Sequence, residues 1–106
     1  MLYHILATAD WSERTETYFS PTFESDGFIH CSTAQQVEGV ARRLFSGRDD
    51  LLVLTIDPGR LRSQVRYENL EGGEEQFPHI YGPLNVDAVI AERALSVSAD
   101  GGLRFA

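Results

Sequence analysis

The chain has 106 residues, a hydrophobic fraction of 42% and a net charge of -7, which is enough to bury a single core without a staple. All nine basic residues are arginine, and the absence of lysine excludes Schiff-base chemistry and a P-loop lysine. An acidic domain of this size is a poor nucleic-acid binder, no apolar run is long enough to cross a bilayer, and Met1 to Leu6, short and containing a histidine, is not expected to serve as a secretory leader. With one cysteine, Cys31, and no internal disulfide, the expectation is one domain, residues 1–106, in the cytoplasm.

Leu2 to Thr8 alternates weakly with both faces partly covered, which predicts a central or near-central strand. Asp10 precedes Trp11-Ser12-Glu13-Arg14 as an N-cap, with Glu13 at capping-box spacing, and predicts a short helix. Thr15 to Gly27 has no sustained period and reads as a covering loop with one helical turn near Pro21 to Ser25. Tyr18, Phe19 and Phe23 anchor it, and Tyr18 is its candidate lid residue.

Asp26-Gly27 is a turn signal that releases a strand over Phe28 to Ser32. Alternation puts Phe28, His30 and Ser32 on one face and Ile29 and Cys31 on the other. His30 and Cys31 therefore point apart and do not form a nucleophile and base pair. From Thr33 the period becomes 3.6, with Val37, Val40, Ala41, Leu44 and Phe45 on one helical face. Ser32 or Thr33 caps this main helix, Gln35 or Gln36 completes the box, and Ser46-Gly47 ends it. A strand that runs into a helix start can hold an anionic ligand on the free N–H groups there, so Ser32 and Thr33 are candidate ligand contacts.

Leu51 to Ile56 is a continuous apolar run, read as a strand buried on both faces. Asp57-Pro58-Gly59 breaks it, and Val65 to Leu70 alternates as another strand. The acidic residues 68, 71, 74 and 75 surround a polar loop, Glu71 to Glu75, read as solvated. Phe77-Pro78-His79-Ile80-Tyr81-Gly82-Pro83-Leu84, with two prolines and a glycine, predicts an extended, turning segment that is neither a plain helix nor a central strand. Val86 to Ser98 reads as one long or bent strand, although Glu92 to Leu95 also suits a helix, and Ala99 to Gly102 turns it back into Leu103 to Phe105. Five or six strands and one good helix make an α+β domain.

The candidate catalytic residues are His4, His30 and His79, each set in apolar sequence, and Glu68, a carboxylate that faces either a pocket or a surface arginine, with the sequence by itself favouring the surface. Ser32, Thr33, Tyr18 and Tyr81 are candidate ligand contacts. No pair of histidines has the spacing of a local zinc motif, and no metal is assigned. Cys31 on its apolar face reads as a small hydrophobe.

Two motifs, Gly27-Phe28-Ile29-His30-Cys31-Ser32-Thr33 and Phe77-Pro78-His79-Ile80-Tyr81-Gly82-Pro83-Leu84, together with Tyr3-His4-Ile5, the Leu51 to Asp57 strand and Glu68, closely resemble a bacterial family, domain of unknown function 952. That family is similar to the ADP-ribosyltransferase superfamily. The resemblance implies split, twisted, mainly antiparallel sheets with NAD held between them as a candidate substrate, and no resident cofactor. In such transferases a first-strand His or Arg binds the adenosine ribose side, and His4 matches that position. A Ser or Tyr flanks the nicotinamide, and Ser32 or Tyr81 could serve. A late Glu stabilises the oxocarbenium-like transition state; Glu68 falls early for that position, and Glu92 lies in a stretch that suits strand or helix. The resemblance therefore implies either a transferase or glycohydrolase acting on NAD-like molecules, or a small-ligand-binding module without turnover. An RNA 2'-phosphate transferase is disfavoured by the acidic charge.

Overall fold

The computed structural model describes residues 1–69 and 72–105. Leu70 and Glu71, which close the strand predicted over Val65 to Leu70 and open the polar loop, lie outside the described residues, as does Ala106. The architecture is α+β, built from three antiparallel sheets. In chain order the strands are β1 (Leu2–Ala7), β2 (Thr17–Tyr18), β3 (Ile29–His30), β4 (Leu51–Ile56), β5 (Gln64–Glu68), β6 (Phe77–Tyr81), β7 (Leu84–Asn85), β8 (Val89–Val97) and β9 (Leu103–Phe105). The helices are α1 (Thr8–Ser12), α2 (Phe23–Asp26) and α3 (Val37–Leu44). Among the described residues no helix is long and apolar enough to cross a membrane.

The four-stranded sheet runs β1-β4-β8-β9. The apolar run of β4 explains its central place, because alternation sends Leu54 and Ile56 to one face and Leu51 and Val53 to the other. The first pair joins a core with Leu2, Leu6, Trp11, Tyr18, Ile29 and Ile80. The second joins Ile5, Ala41, Leu95 and Val97 beneath α3. Glu92 to Leu95 lies within β8, so the extended alternative holds there and the helical one does not. The segment before it is not one strand: β7 is followed by a 3-10 turn over Val86–Ala88.

β1 is an edge strand of its sheet, not a central one. It is buried on both faces nonetheless, because Tyr3 exchanges backbone hydrogen bonds with Ser32 (2.8 and 2.7 Å) and so ties the four-stranded sheet to the second one. Since backbone groups alternate in direction along a strand, Ile5 offers its N–H and C=O to the same side as Tyr3, where the chain beyond Ser32 has already turned away. Among the described residues neither group finds a partner there. The two sheets thus separate beyond one pair of bonds.

The second sheet runs β3-β6-β5, which makes β6 central despite Pro78. A proline is expected at an edge because it lacks an N–H. Here Cys31 N–H donates to the Pro78 carbonyl at 3.0 Å, so the missing N–H also faces β3, at the point where β3 ends and the chain leaves the sheet. The proline therefore costs little ladder. β2 and β7 form a two-stranded ribbon inside what the sequence presents as loop. Two residues are too few to give a period.

Two helix starts differ from expectation. α1 begins at Thr8, directly out of β1, with Asp10 inside it and no side-chain cap. Thr8 N–H instead donates to the Asp50 carbonyl at 2.8 Å, which satisfies a first-turn donor that a cap would otherwise serve. α3 proper begins at Val37 after a turn over residues 34–36. Gln36 Oε1 accepts from Thr33 N–H at 3.0 Å, which is the glutamine half of the expected capping box. Ser32 is a strand-bridge residue and not the cap. On the apolar face of α3, Val37, Val40, Ala41 and Phe45 pack as predicted, but Leu44 is 62% exposed.

Candidate functional site

One face of the β3-β6-β5 sheet collects most of the polar motif residues. His30 pairs with His79 across β3 and β6, and alternation sends Phe28 and His30 to the same side as His79 and Tyr81, with Ile29 and Ile80 going to the core. Phe28 lies flat on His79 (ring centroids 4.0 Å apart, 17° between planes) and meets His30 edge-on at 4.6 Å. The two imidazoles are 5.3 Å apart. Phe28 therefore sets the orientation of both rings, a function that its place on the His30 face already allowed.

Glu68, at the end of β5, accepts from His79 Nδ1–H at 3.0 Å and from the Tyr81 hydroxyl. Both bonds land on Oε1, and among the described residues Oε2 has no hydrogen-bond partner. The Tyr81 hydroxyl, then His79, hold the Glu68 carboxyl below its ordinary pKa, which keeps it ionised. The same bond raises the Tyr81 phenol. Because His79 Nδ1 donates to a carboxylate, the neutral ring carries its lone pair on Nε2. A buried histidine oriented by a carboxylate is a suitable proton acceptor. His30 Nε2 is 3.0 Å from Asp26 Oδ2 across the α2 to β3 turn, which Gly27 makes with φ of 82°. Thr22, then His30, lowers the Asp26 pKa.

His4 stands differently. Its Nδ1–H donates to the His30 carbonyl at 2.6 Å, which leaves Nε2 to accept from the Tyr18 hydroxyl at 3.1 Å. Burial pushes the His4 pKa down to about 4, opposed by the His30 carbonyl, so the ring is neutral near pH 7. Burial, followed by the Asp10 charge, raises the Tyr18 phenol, which stays protonated. Tyr18 is 3% exposed and packs edge-on against Trp11 at 5.5 Å. It is a core residue and not a lid, because its hydroxyl is the partner that a buried neutral His4 requires. Phe19, the next residue, is the exposed aromatic of that segment.

A groove of about 540 Å³ follows the open edge of β1 between the two sheets. His4, Tyr18, His30, Ser32, Glu68 and His79 all line it, so the three histidines do meet one cavity. Thr33 and Tyr81 do not line it. The Thr33 N–H is already taken by Gln36, and Tyr81 acts only through Glu68. Glu92 is outside the groove and accepts from Trp11 Nε1–H at 2.9 Å, so of the two glutamates only Glu68 belongs here. Ser20 also lines the groove, and its Oγ has no hydrogen-bond partner. Nothing in the sequence separated it from the other loop hydroxyls. Cys31 is buried with a thiol pKa raised by desolvation, on the opposite side from His30. Among the described residues no three His, Cys, Asp or Glu side chains converge with metal-holding geometry.

The family model described as protein of unknown function (DUF952) matches residues 5–92. Among solved structures, the crystal structure of protein CC0527 from Caulobacter crescentus is similar over 97% of this chain and 92% of that chain, with 33% identity and a TM-score of 0.83. The solution structure of the same protein gives 34% identity over 94% of this chain and 88% of that chain, with a TM-score of 0.79. No curated protein matches the chain.

Proposed function

Because the chain belongs to the DUF952 family of proteins of unknown function, we propose from its groove that it binds NAD or a closely related nucleotide and breaks the bond between ribose and nicotinamide. The observation that carries this reading is Glu68, ionised, lining the groove, with one oxygen held by His79 and Tyr81 and the other open. Heterolysis of the C1'–N bond gives neutral nicotinamide the electron pair and leaves positive charge on the ribose. A carboxylate fixed at the groove wall stabilises that charge as it develops. His79 Nε2 takes the proton of the attacking water or acceptor hydroxyl as the new C1'–O bond forms. Asp26 and His30, beside the same ring stack, supply further polar contacts to the ribose.

The test is incubation with NAD and measurement of free nicotinamide. Release by the native protein that falls at least about a hundredfold in Glu68→Gln supports the reading. Absence of release, together with no NAD contact in saturation-transfer NMR, overturns it. A second reading, a binding module without turnover, is favoured by His4, whose two nitrogens are both bonded inside the protein. NAD contact without nicotinamide release over hours would select it.

A further inference from the structure

The groove has a second end, on the last turn of α3, and two features there are unexplained by folding. Leu44 continues the apolar stripe that buries Ala41, yet it is 62% exposed and lines the groove beside Val40 and Phe45. Arg43 lines it too, and among the described residues no carboxylate or carbonyl pairs with it. Arg48, the other groove-lining arginine, is already bound through two nitrogens to Asp50 (3.0 and 2.8 Å). In a chain of net charge -7, whose groove also holds Asp10, Asp26 and Glu68, an unpaired guanidinium is the one free cation among the groove-lining described residues. A basic residue in the last turn of a helix also complements the helix dipole, but Arg42 in the same turn does this while paired to Glu38.

We propose that the last turn of α3 is the nucleoside diphosphate end of the groove, with Arg43 contacting phosphate and Leu44 packing against the purine ring. This rests on the reading of the groove as a nucleotide site and adds the direction of the ligand. The glycosidic bond to be broken lies at Glu68 and His79, and the diphosphate runs along β1 toward α3. An apolar wall followed by a guanidinium suits a flat base joined to an anion, since guanidinium and phosphate form two parallel charge-assisted hydrogen bonds.

The experiment is titration calorimetry of native protein, Arg43→Gln and Leu44→Ser with ADP, inorganic pyrophosphate and adenosine, with thermal melts of all three proteins. Both side chains are exposed, so unchanged melting is expected. Arg43→Gln should weaken ADP and pyrophosphate by about tenfold or more and leave adenosine unaffected. Leu44→Ser should weaken ADP and adenosine and leave pyrophosphate unaffected. ADP binding that neither variant alters overturns the proposal, as does failure of the native protein to bind ADP or pyrophosphate at millimolar concentration. ADP carries no nicotinamide and does not require Glu68. If it binds as described and NAD is not cleaved, the cleavage reading fails and the α3 end stands. If NAD is cleaved and ADP binding ignores both variants, the reverse holds.

Discussion

His4 with Tyr18 and His79 with Glu68 and Tyr81 are built from nearly the same residue types, and both histidines line the same groove, but the two systems end in opposite states. Every polar atom of the His4 ring is bonded within the protein, and burial keeps the ring neutral. At His79 the bonds converge on a single carboxylate oxygen, and among the described residues nothing engages Glu68 Oε2 or the His79 Nε2 lone pair. The first arrangement leaves the His4 ring nothing to offer a ligand and holds β1, β2 and β3 together. The second keeps two reactive valences at a groove wall. What separates a brace from a site here is therefore the count of unspent hydrogen-bonding capacity, not the identity of the side chains.

The sharpest way to break this comparison is to remove each histidine system in turn. His4→Ala takes out a buried ring and leaves the His30 carbonyl and the Tyr18 hydroxyl unpaired, so it should cost about 3–5 kcal/mol of stability in urea unfolding. Glu68→Gln should reduce any NAD cleavage by about 10²–10³-fold, with a urea midpoint much closer to native than that of His4→Ala. A larger stability loss from Glu68→Gln than from His4→Ala would remove the distinction.

The pH dependence separates the two regions again. His4 has an ordinary pKa of 6.5 when unfolded and about 4 when folded, so between these values the unfolded chain binds more protons. Its contribution is complete above pH 6.5, is lost as pH falls toward 4, and changes no further below that, a total of up to about 3 kcal/mol. His4→Gln should flatten this limb of a stability-against-pH curve measured by chemical denaturation. Glu68 and Asp26, held below the ordinary carboxylate range, lose their contribution only at still lower pH, as it falls through their folded values. The smallest effect concerns the phenols. Tyr18→Phe should cost about 1–3 kcal/mol because it orphans a buried His4 Nε2, while Tyr81→Phe should leave stability near native and move the acid limb of the cleavage rate upward in pH, since Glu68 loses its strongest donor.

The parts of this fold that can be read from sequence are those where one local pattern decides the outcome. Leu51 to Ile56 is a strand at the bounds that its apolar run predicts, and Val37, Val40 and Ala41 face the core as their spacing requires. The turn at Asp26-Gly27 and the alternation of Phe28, Ile29 and His30 also follow from local chemistry. Other elements depend on contacts made far along the chain. Asp10 loses its capping role because Asp50, forty residues on, supplies the carbonyl to Thr8. Pro78 is tolerated in a central strand because β3 happens to end opposite it.

The site divides along the same line. His30 and His79 could be named as candidates from their motifs, whereas Glu68 lies in neither motif and its own sequence favours a surface place; all three share the groove. The joint hold of His79 and Tyr81 on Glu68, and the core role of Tyr18, required the pairing of β5 with β6 and of β2 with β7. Leu44 was assigned to the core because its spacing is that of a core residue, and only the position of α3 beside the split reveals it as groove wall.

The open edge of β1 has a consequence for how this molecule exchanges hydrogen with water. Ile5 sits in the middle of a core strand, 9% exposed, with its neighbours His4 and Leu6 laddered to β4. Protection of a core-strand amide ordinarily reflects global unfolding, but the Ile5 N–H faces the groove with no acceptor among the described residues. Its deuterium uptake should therefore run far ahead of the amides on either side. Anything that settles along β1 and accepts that hydrogen will slow it, which makes this single amide an internal reporter of whether the split between the sheets is empty or filled.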